Sequence, residues 1–107
     1  MVVLTTLDSD LAARDFVRRL VAERLVACGT VLSGGASIYR WNGEMTETTE
    51  AVVLLKTRRV MWDQLAAAVH AMHPYDTPEL VALPVETGLD DYLRWVVRET
   101  SPEETPT

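Results

Sequence analysis

The stretch that decides the fold is Ser37-Ile38-Tyr39-Arg40-Trp41-Asn42-Gly43, followed by the run Glu44 to Thr57. Asn-Gly is the strongest short hairpin signal, because both turn positions of a tight two-residue turn need positive φ. The residues before it read as a strand, Ala36 to Trp41. The return strand begins polar, with Thr46, Glu47, Thr48, Thr49 and Glu50, and ends apolar, with Val52, Val53, Leu54 and Leu55. Its polar start is expected to project beyond the body of the domain. Upstream, Ser33-Gly34-Gly35 interrupts an extended segment that Gly29 opens. Adjacent glycines within a strand pattern predict a bulge or a sharp bend.

Outward from the hairpin, the other elements follow. Residues 2–6, Val-Val-Leu-Thr-Thr, form a short apolar strand. Asp8 or Ser9 is placed to cap a helix. That helix carries Ala13, Phe16, Val17, Leu20 and Val21 on one face, and Arg14, Asp15, Arg18, Arg19 and Glu23 on the other. A second helix is expected over 58–72, capped by Thr57, with Trp62, Leu65, Ala66, Val69 and Met72 as its stripe. Pro74 stops it, since the residue before a proline disfavours helical backbone. A fourth strand is expected over 80–85. Gly88 and Asp90 introduce a last helix carrying Tyr92, Leu93, Trp95 and Val96. Residues 1–100 thus read as one domain, and the tail 101–107, with two prolines and two glutamates, as disordered.

Strand, helix, strand, strand, helix, strand is the split β-α-β order of a ferredoxin-like α+β fold, with both helices on one face of an antiparallel sheet. The strands, however, are continuous apolar runs, the pattern of sheets buried on both faces. The helices cover one face. A second copy of the chain is the simplest cover for the other, so a homo-oligomer is expected.

Composition limits the partners. The chain has 107 residues, sixteen acidic against ten basic, and a net charge of −6. Nucleic-acid binding needs a clustered basic face, and the arginines of the first helix instead alternate with acids. No apolar run is long enough to span a membrane, and no signal-like segment precedes the first strand, so the cytoplasm is the expected compartment. One cysteine, Cys28, allows neither an internal disulfide nor a multi-cysteine zinc site.

Several motifs together resemble the CutA family of divalent-cation tolerance proteins. They are Glu23-Arg24-Leu25-Val26-Ala27-Cys28, Ser37 through Gly43, Lys56-Thr57, His73-Pro74-Tyr75-Asp76-Thr77-Pro78-Glu79, and Tyr92-Leu93-Arg94-Trp95. They occur in the family's order from about residue 2 to 98. The resemblance implies a homotrimer whose long hairpins reach across to neighbours, and a role in tolerance to divalent metals, copper foremost. The chain departs from the pattern at Gly29 and Thr30, where the family commonly has valine and asparagine, at Ser33 in place of a proline, and at Gly35 in place of an apolar residue.

The candidate metal ligands are Cys28, His73 and His70. A thiolate suits Cu(I) or zinc, though a lone cysteine is also a common small core residue. His70 and His73 are spaced to share a helix face, but Pro74 can turn His73 away, leaving it to cap carbonyls or pair across an interface. No metal is obligatory on this reading; a divalent ion, copper ahead of zinc, is the ligand implied. Tyr39, Trp41, Lys56, Tyr75 and Glu79 are grouped as a candidate ligand cleft between subunits. Lys56 is the sole lysine and serves equally as an ion-pair partner of Glu50 or Glu79. The aromatics serve equally as anchors. A PII-like trimeric sensor of small molecules or nucleotides is the alternative function, although no glycine-rich phosphate loop is present. A purely structural trimeric scaffold is a third. No catalytic triad, His-Glu-x-x-His motif or Cys-His pair is legible, so no enzyme is expected.

Overall fold

The computed structural model describes residues 1–102. Strand β1 (Val2–Leu7) leads into helix α1 (Asp10–Ala22). The long strands β2 (Cys28–Trp41) and β3 (Glu44–Lys56) form the hairpin. A 3₁₀ turn (Arg59–Met61) precedes helix α2 (Trp62–Met72), then come strand β4 (Val81–Leu83) and helix α3 (Asp90–Glu99). All four strands are antiparallel in the order β2-β3-β1-β4, the ferredoxin-like arrangement.

Local chemistry explains each boundary. Ser9 caps α1, its Oγ accepting from the Ala12 amide at 3.1 Å. The helix ends with Arg24 at φ 59°, the Arg24 amide bonding the Val21 carbonyl and the Leu25 amide that of Leu20. That is a Schellman closure with arginine where glycine is usual. His73 is extended, at ψ 135°, as a residue before proline must be, and α2 stops there. Asn42 and Gly43 take φ 50° and 80°, completing the two-residue turn read from the sequence.

Three expectations are corrected. Thr57 does not cap α2: its hydroxyl is buried and donates to the Leu25 carbonyl at 2.7 Å, so the second helix begins through the 3₁₀ turn. Strand β4 is three residues long rather than six, because Pro84 has no amide to continue the ladder. Val21, assigned to the buried stripe of α1, is 39% exposed. Of the tail read as disordered, residues 103–107 lie outside the described residues.

The core lies between the helices and one face of the sheet. Val3 and Leu7 of β1 and Ala51, Val53 and Leu55 of β3 meet Phe16, Leu20, Leu65 and Val69 from α1 and α2. Burial along β1 alternates, as a strand with one covered face requires. The other face carries Leu4, Val52 and Leu54, only half-buried, with Leu32, Val81 and Leu83 about half exposed beside them. Both faces are therefore apolar, as the continuous runs indicated, and within one chain only one of them is fully covered.

The hairpin arm makes the molecule elongated, 57 × 29 × 23 Å. Its ladder is regular except between Leu32 and Gly35, where β2 carries one extra residue. The extra residue changes the parity of β2. Before the bulge, Leu32 lies opposite Val52; after it, Ser37, Tyr39 and Trp41 lie opposite Thr48, Thr46 and Glu44. Partners in an antiparallel ladder point to the same side. Tyr39 and Trp41 thus join the open face of the sheet, on the same side as Glu50 and Thr6.

Candidate functional site

That parity change builds a recess of about 350 Å³ where the arm meets the sheet. Tyr39 and Trp41 enter from β2, Glu50 from β3 and Thr6 from β1. The loop after α2 supplies Tyr75, Asp76, Thr77 and Glu79. Glu50 is the deepest of its acids, at 8% exposure. The Tyr75 hydroxyl donates to its Oε2 at 2.6 Å. Burial alone would raise the Glu50 pKa. Hydrogen bonds from Ser37, Tyr75 and Thr6, together with the nearby His73, outweigh that and hold it below the ordinary value of 4.5. Tyr75 is shifted the other way, upward, by burial and then by its bond to Glu50. The pair is therefore a phenol donating to a carboxylate, with each form favouring the other.

His73 stands behind Tyr75 and fixes it. Its Nε2 lies 2.8 Å from the Thr6 carbonyl, which can only accept, so Nε2 carries a proton. Its Nδ1 accepts from the Tyr75 amide at 3.1 Å. The ring packs edge-on against Phe16 and Tyr75, with centroids 5.8 and 4.7 Å away. Both nitrogens are thereby engaged, in a residue 7% exposed. His73 is an organiser of the recess, and no ring nitrogen is left to face a metal.

The remaining candidates sit elsewhere. Cys28 is half-buried at the start of β2, its Sγ 3.8 Å from the Tyr92 hydroxyl of α3, and is not part of the core cluster. Burial and then this contact raise the Tyr92 pKa. His70 is exposed at the end of α2, beside a separate hollow lined by Trp62, Ala66 and Pro78. His70 and His73 do not share a helix face, because His73 has left the helix. Among the described residues no three His, Cys, Asp or Glu side chains group so as to hold a metal ion. Cys28, His70 and His73 do not form a metal site within one chain.

Of the five residues grouped as a ligand cleft, Tyr39, Trp41, Tyr75 and Glu79 converge and Lys56 does not. Lys56 pairs with Cys28 and Val2 at the far end of the sheet, and its Nζ donates to Thr30 Oγ1 at 2.9 Å rather than to Glu50 or Glu79. Sequence reasoning overlooked Glu50 as a site residue, and Asp76 with it. The signal for Glu50 was the Gly34-Gly35 bulge, whose parity change, followed through, brings β2 aromatics and a β3 acid to one side.

The whole arrangement matches known proteins. The model of the CutA1 divalent ion tolerance protein family matches residues 1–99. The chain belongs to the CutA1 family. The CutA divalent-cation tolerance protein of Thermus thermophilus is 44% identical over 99 residues, covering 92% of this chain and 96% of that one. Its solved structure superposes with a TM-score of 0.90, covering 94% and 97% of the two chains. Pyrococcus horikoshii CutA1 gives 0.90 at 33% identity, covering 94% and 98%. The Archaeoglobus fulgidus CutA, described as periplasmic, gives 0.90 at 30% identity, covering 94% and 97%. The family model and these relatives are described as divalent-cation tolerance proteins. The PII-like reading gains no support from these relatives.

Proposed function

We propose that this CutA1 chain is the protomer of a cytoplasmic homotrimer that confers tolerance to divalent cations by binding copper, and zinc less readily, without a catalytic activity of its own. The observation that carries the assembly is the uncovered apolar sheet face around Leu4, Val52 and Leu54, with Leu32, Val81 and Leu83 about half exposed. A second copy laid on that face removes it from water, which is the main driving force for association. Family membership supports the cation role. Since His73 is spent on hydrogen bonds, Cys28 and His70 are the ligands left to offer, and one chain does not close a coordination sphere from them.

Light scattering of the purified protein tests the assembly, with a mass of three times 11.9 kDa expected. A mass equal to one chain at micromolar concentration refutes it. Calorimetric titration of Cu(II), and of Cu(I) under reducing conditions, tests the metal. Weaker binding by Cys28→Ser or His70→Ala is expected, and equal affinity in both variants removes these residues from any copper site. Cell fractionation tests the compartment.

A further inference from the structure

We propose that His73 is a proton-operated latch: uptake of a proton at Nδ1 releases the Tyr75 amide and frees the loop 74–79 that follows α2. The first observation is that the two ring nitrogens have opposite duties. Nε2 lies 2.8 Å from the Thr6 carbonyl and 3.5 Å from Thr5 Oγ1, so it carries the hydrogen. Nδ1 accepts from the Tyr75 amide at 3.1 Å, which needs its lone pair. A protonated imidazole is a donor at both nitrogens. Nδ1–H and the Tyr75 N–H then point at each other, and a bond becomes a repulsion. The ring has little room to turn away. It is 7% exposed, edge-on to Phe16, and its own amide is tied to the Val69 carbonyl of α2 at 2.8 Å.

The second observation is how little else holds the loop. Among the described residues, the hydrogen bonds of 74–79 both run through Tyr75: its amide to His73 and its hydroxyl to Glu50. Losing the first leaves the loop on the second alone. The charged group that faces the ring is Glu50 of β3, and Asp8, before α1, acts on Tyr75. From β1 come the Thr5 hydroxyl and the Thr6 carbonyl, from α1 only Phe16, and from α2 the Val69 carbonyl. A carboxylate nearby favours the charged imidazole. The proton can therefore arrive while the sheet is still folded, in the interval of about pH 5 to 8 where imidazoles change charge. Thr5, Glu50 and His73 are each at most 8% exposed in the single chain, so a neighbouring copy laid on the open face leaves these contacts in place. The latch thus carries a protonation beside the core to Tyr75, Asp76, Thr77 and Glu79, which border the open face of the sheet. It is independent of the copper reading, in which His73 has no part.

Nuclear magnetic resonance of the metal-free, isotope-labelled full chain between about pH 8 and 5 tests it. Ring nitrogen shifts report the tautomer and charge of His73, with exposed His70, the only other histidine, as reference. Amide exchange, corrected for its intrinsic pH dependence, reports the loop. At pH 8 His73 is expected to be neutral with its proton on Nε2. At pH 5 it is expected to be charged, with protection of the Tyr75 amide reduced at least about tenfold, the loss of one hydrogen bond. Protection in β1 and β3 is expected to hold. His73→Asn places a non-titrating oxygen near the Nδ1 position, and its Tyr75 protection is expected to be independent of pH. A His73 still neutral at pH 5 overturns the proposal, and so does a charged His73 with Tyr75 protection intact; both readings need only the parent protein. A fall in protection spread over the whole sheet, or an equal fall in His73→Asn, also overturns it.

Discussion

Gly29 sits where helix α1 comes closest to the sheet, and replacing it by alanine is a direct test of that packing. A Cβ at position 29 would stand 2.7 Å from Val17 Cγ1, 2.9 Å from Leu55 Cδ2 and 3.1 Å from Val17 Cγ2. Real contacts of this kind do not fall below 3.0 Å. Leu55 can swing its terminal methyl aside. Val17 cannot do so as easily, because a β-branched residue in a helix has one strongly preferred χ1. Overpacking of this type costs about 1–3 kcal/mol. Gly29 is not in the left-handed region, so alanine adopts its backbone freely and gains about 0.4–1 kcal/mol from a stiffer unfolded chain. The net expectation is a loss of about 1–2 kcal/mol, a fall in Tm of about 4–8 °C for each kcal/mol in a domain of this size. Thermal melts followed by circular dichroism measure it, at one fixed protomer concentration because association and folding are linked. Val17→Ala removes both clashing methyl groups. The double variant should therefore be more stable than the sum of the two single losses by at least about 0.5 kcal/mol. A Gly29→Ala protein melting at or above the parent temperature, or strict additivity in the cycle, would refute the steric reasoning.

Two further outcomes follow from the hydrogen bonds. Arg58 donates through Nε to Thr100 Oγ1 at 2.7 Å and through Nη2 to the Thr100 carbonyl at 2.8 Å, tying the end of α3 to the segment before α2. Arg58→Lys cannot reproduce that fork and should lower stability by about 1–2 kcal/mol in urea melts, with amide exchange at 96–101 rising first; unchanged protection there contradicts the tether. Tyr75→Phe removes a donor from Glu50. Because the folded pKa of Glu50 is depressed, its contribution is complete above 4.5 and is lost as pH falls through the lower folded value. The Tyr75→Phe deficit should therefore be large at neutral pH and shrink in acid melts; a deficit independent of pH would detach Tyr75 from Glu50.

The secondary structure was legible where a local rule acts. Asn42-Gly43 fixed the turn by backbone sterics, Ser9 the start of α1, and Pro74 the end of α2. The stripe of Ala13, Phe16, Val17 and Leu20 named the helix face that is buried. Errors fell where a distant partner decides. Thr57 looked like a cap, yet the Leu25 carbonyl, 32 residues away, takes its hydroxyl. Lys56, grouped with a cleft between subunits, is carried by the register of β3 to the opposite end of the same chain's sheet from Glu50, so only a neighbouring copy can bring it to that cleft. The recess joins Thr6, Glu50 and Tyr75, which only the assembled sheet brings together. His73 shows the same limit from another side. Its motif marked it as important, but only the contacts to Thr6 and Tyr75 reveal that it holds neighbours in place.

The bulge between Leu32 and Gly35 separates two properties of the arm. Facing is dictated by β3 and by the Asn42-Gly43 turn, which fix each distal partner of β2. Direction is dictated by the surplus residue, since a bulge bends and twists its strand. Shortening β2 by Gly34 would leave Tyr39 opposite Thr46 and Trp41 opposite Glu44, with the same chemistry displayed, while the arm straightened. The chain thus has a steering joint whose adjustment re-aims the arm without rewriting its surface, a route by which related chains can diverge in where the arm reaches while keeping the same side chains on show.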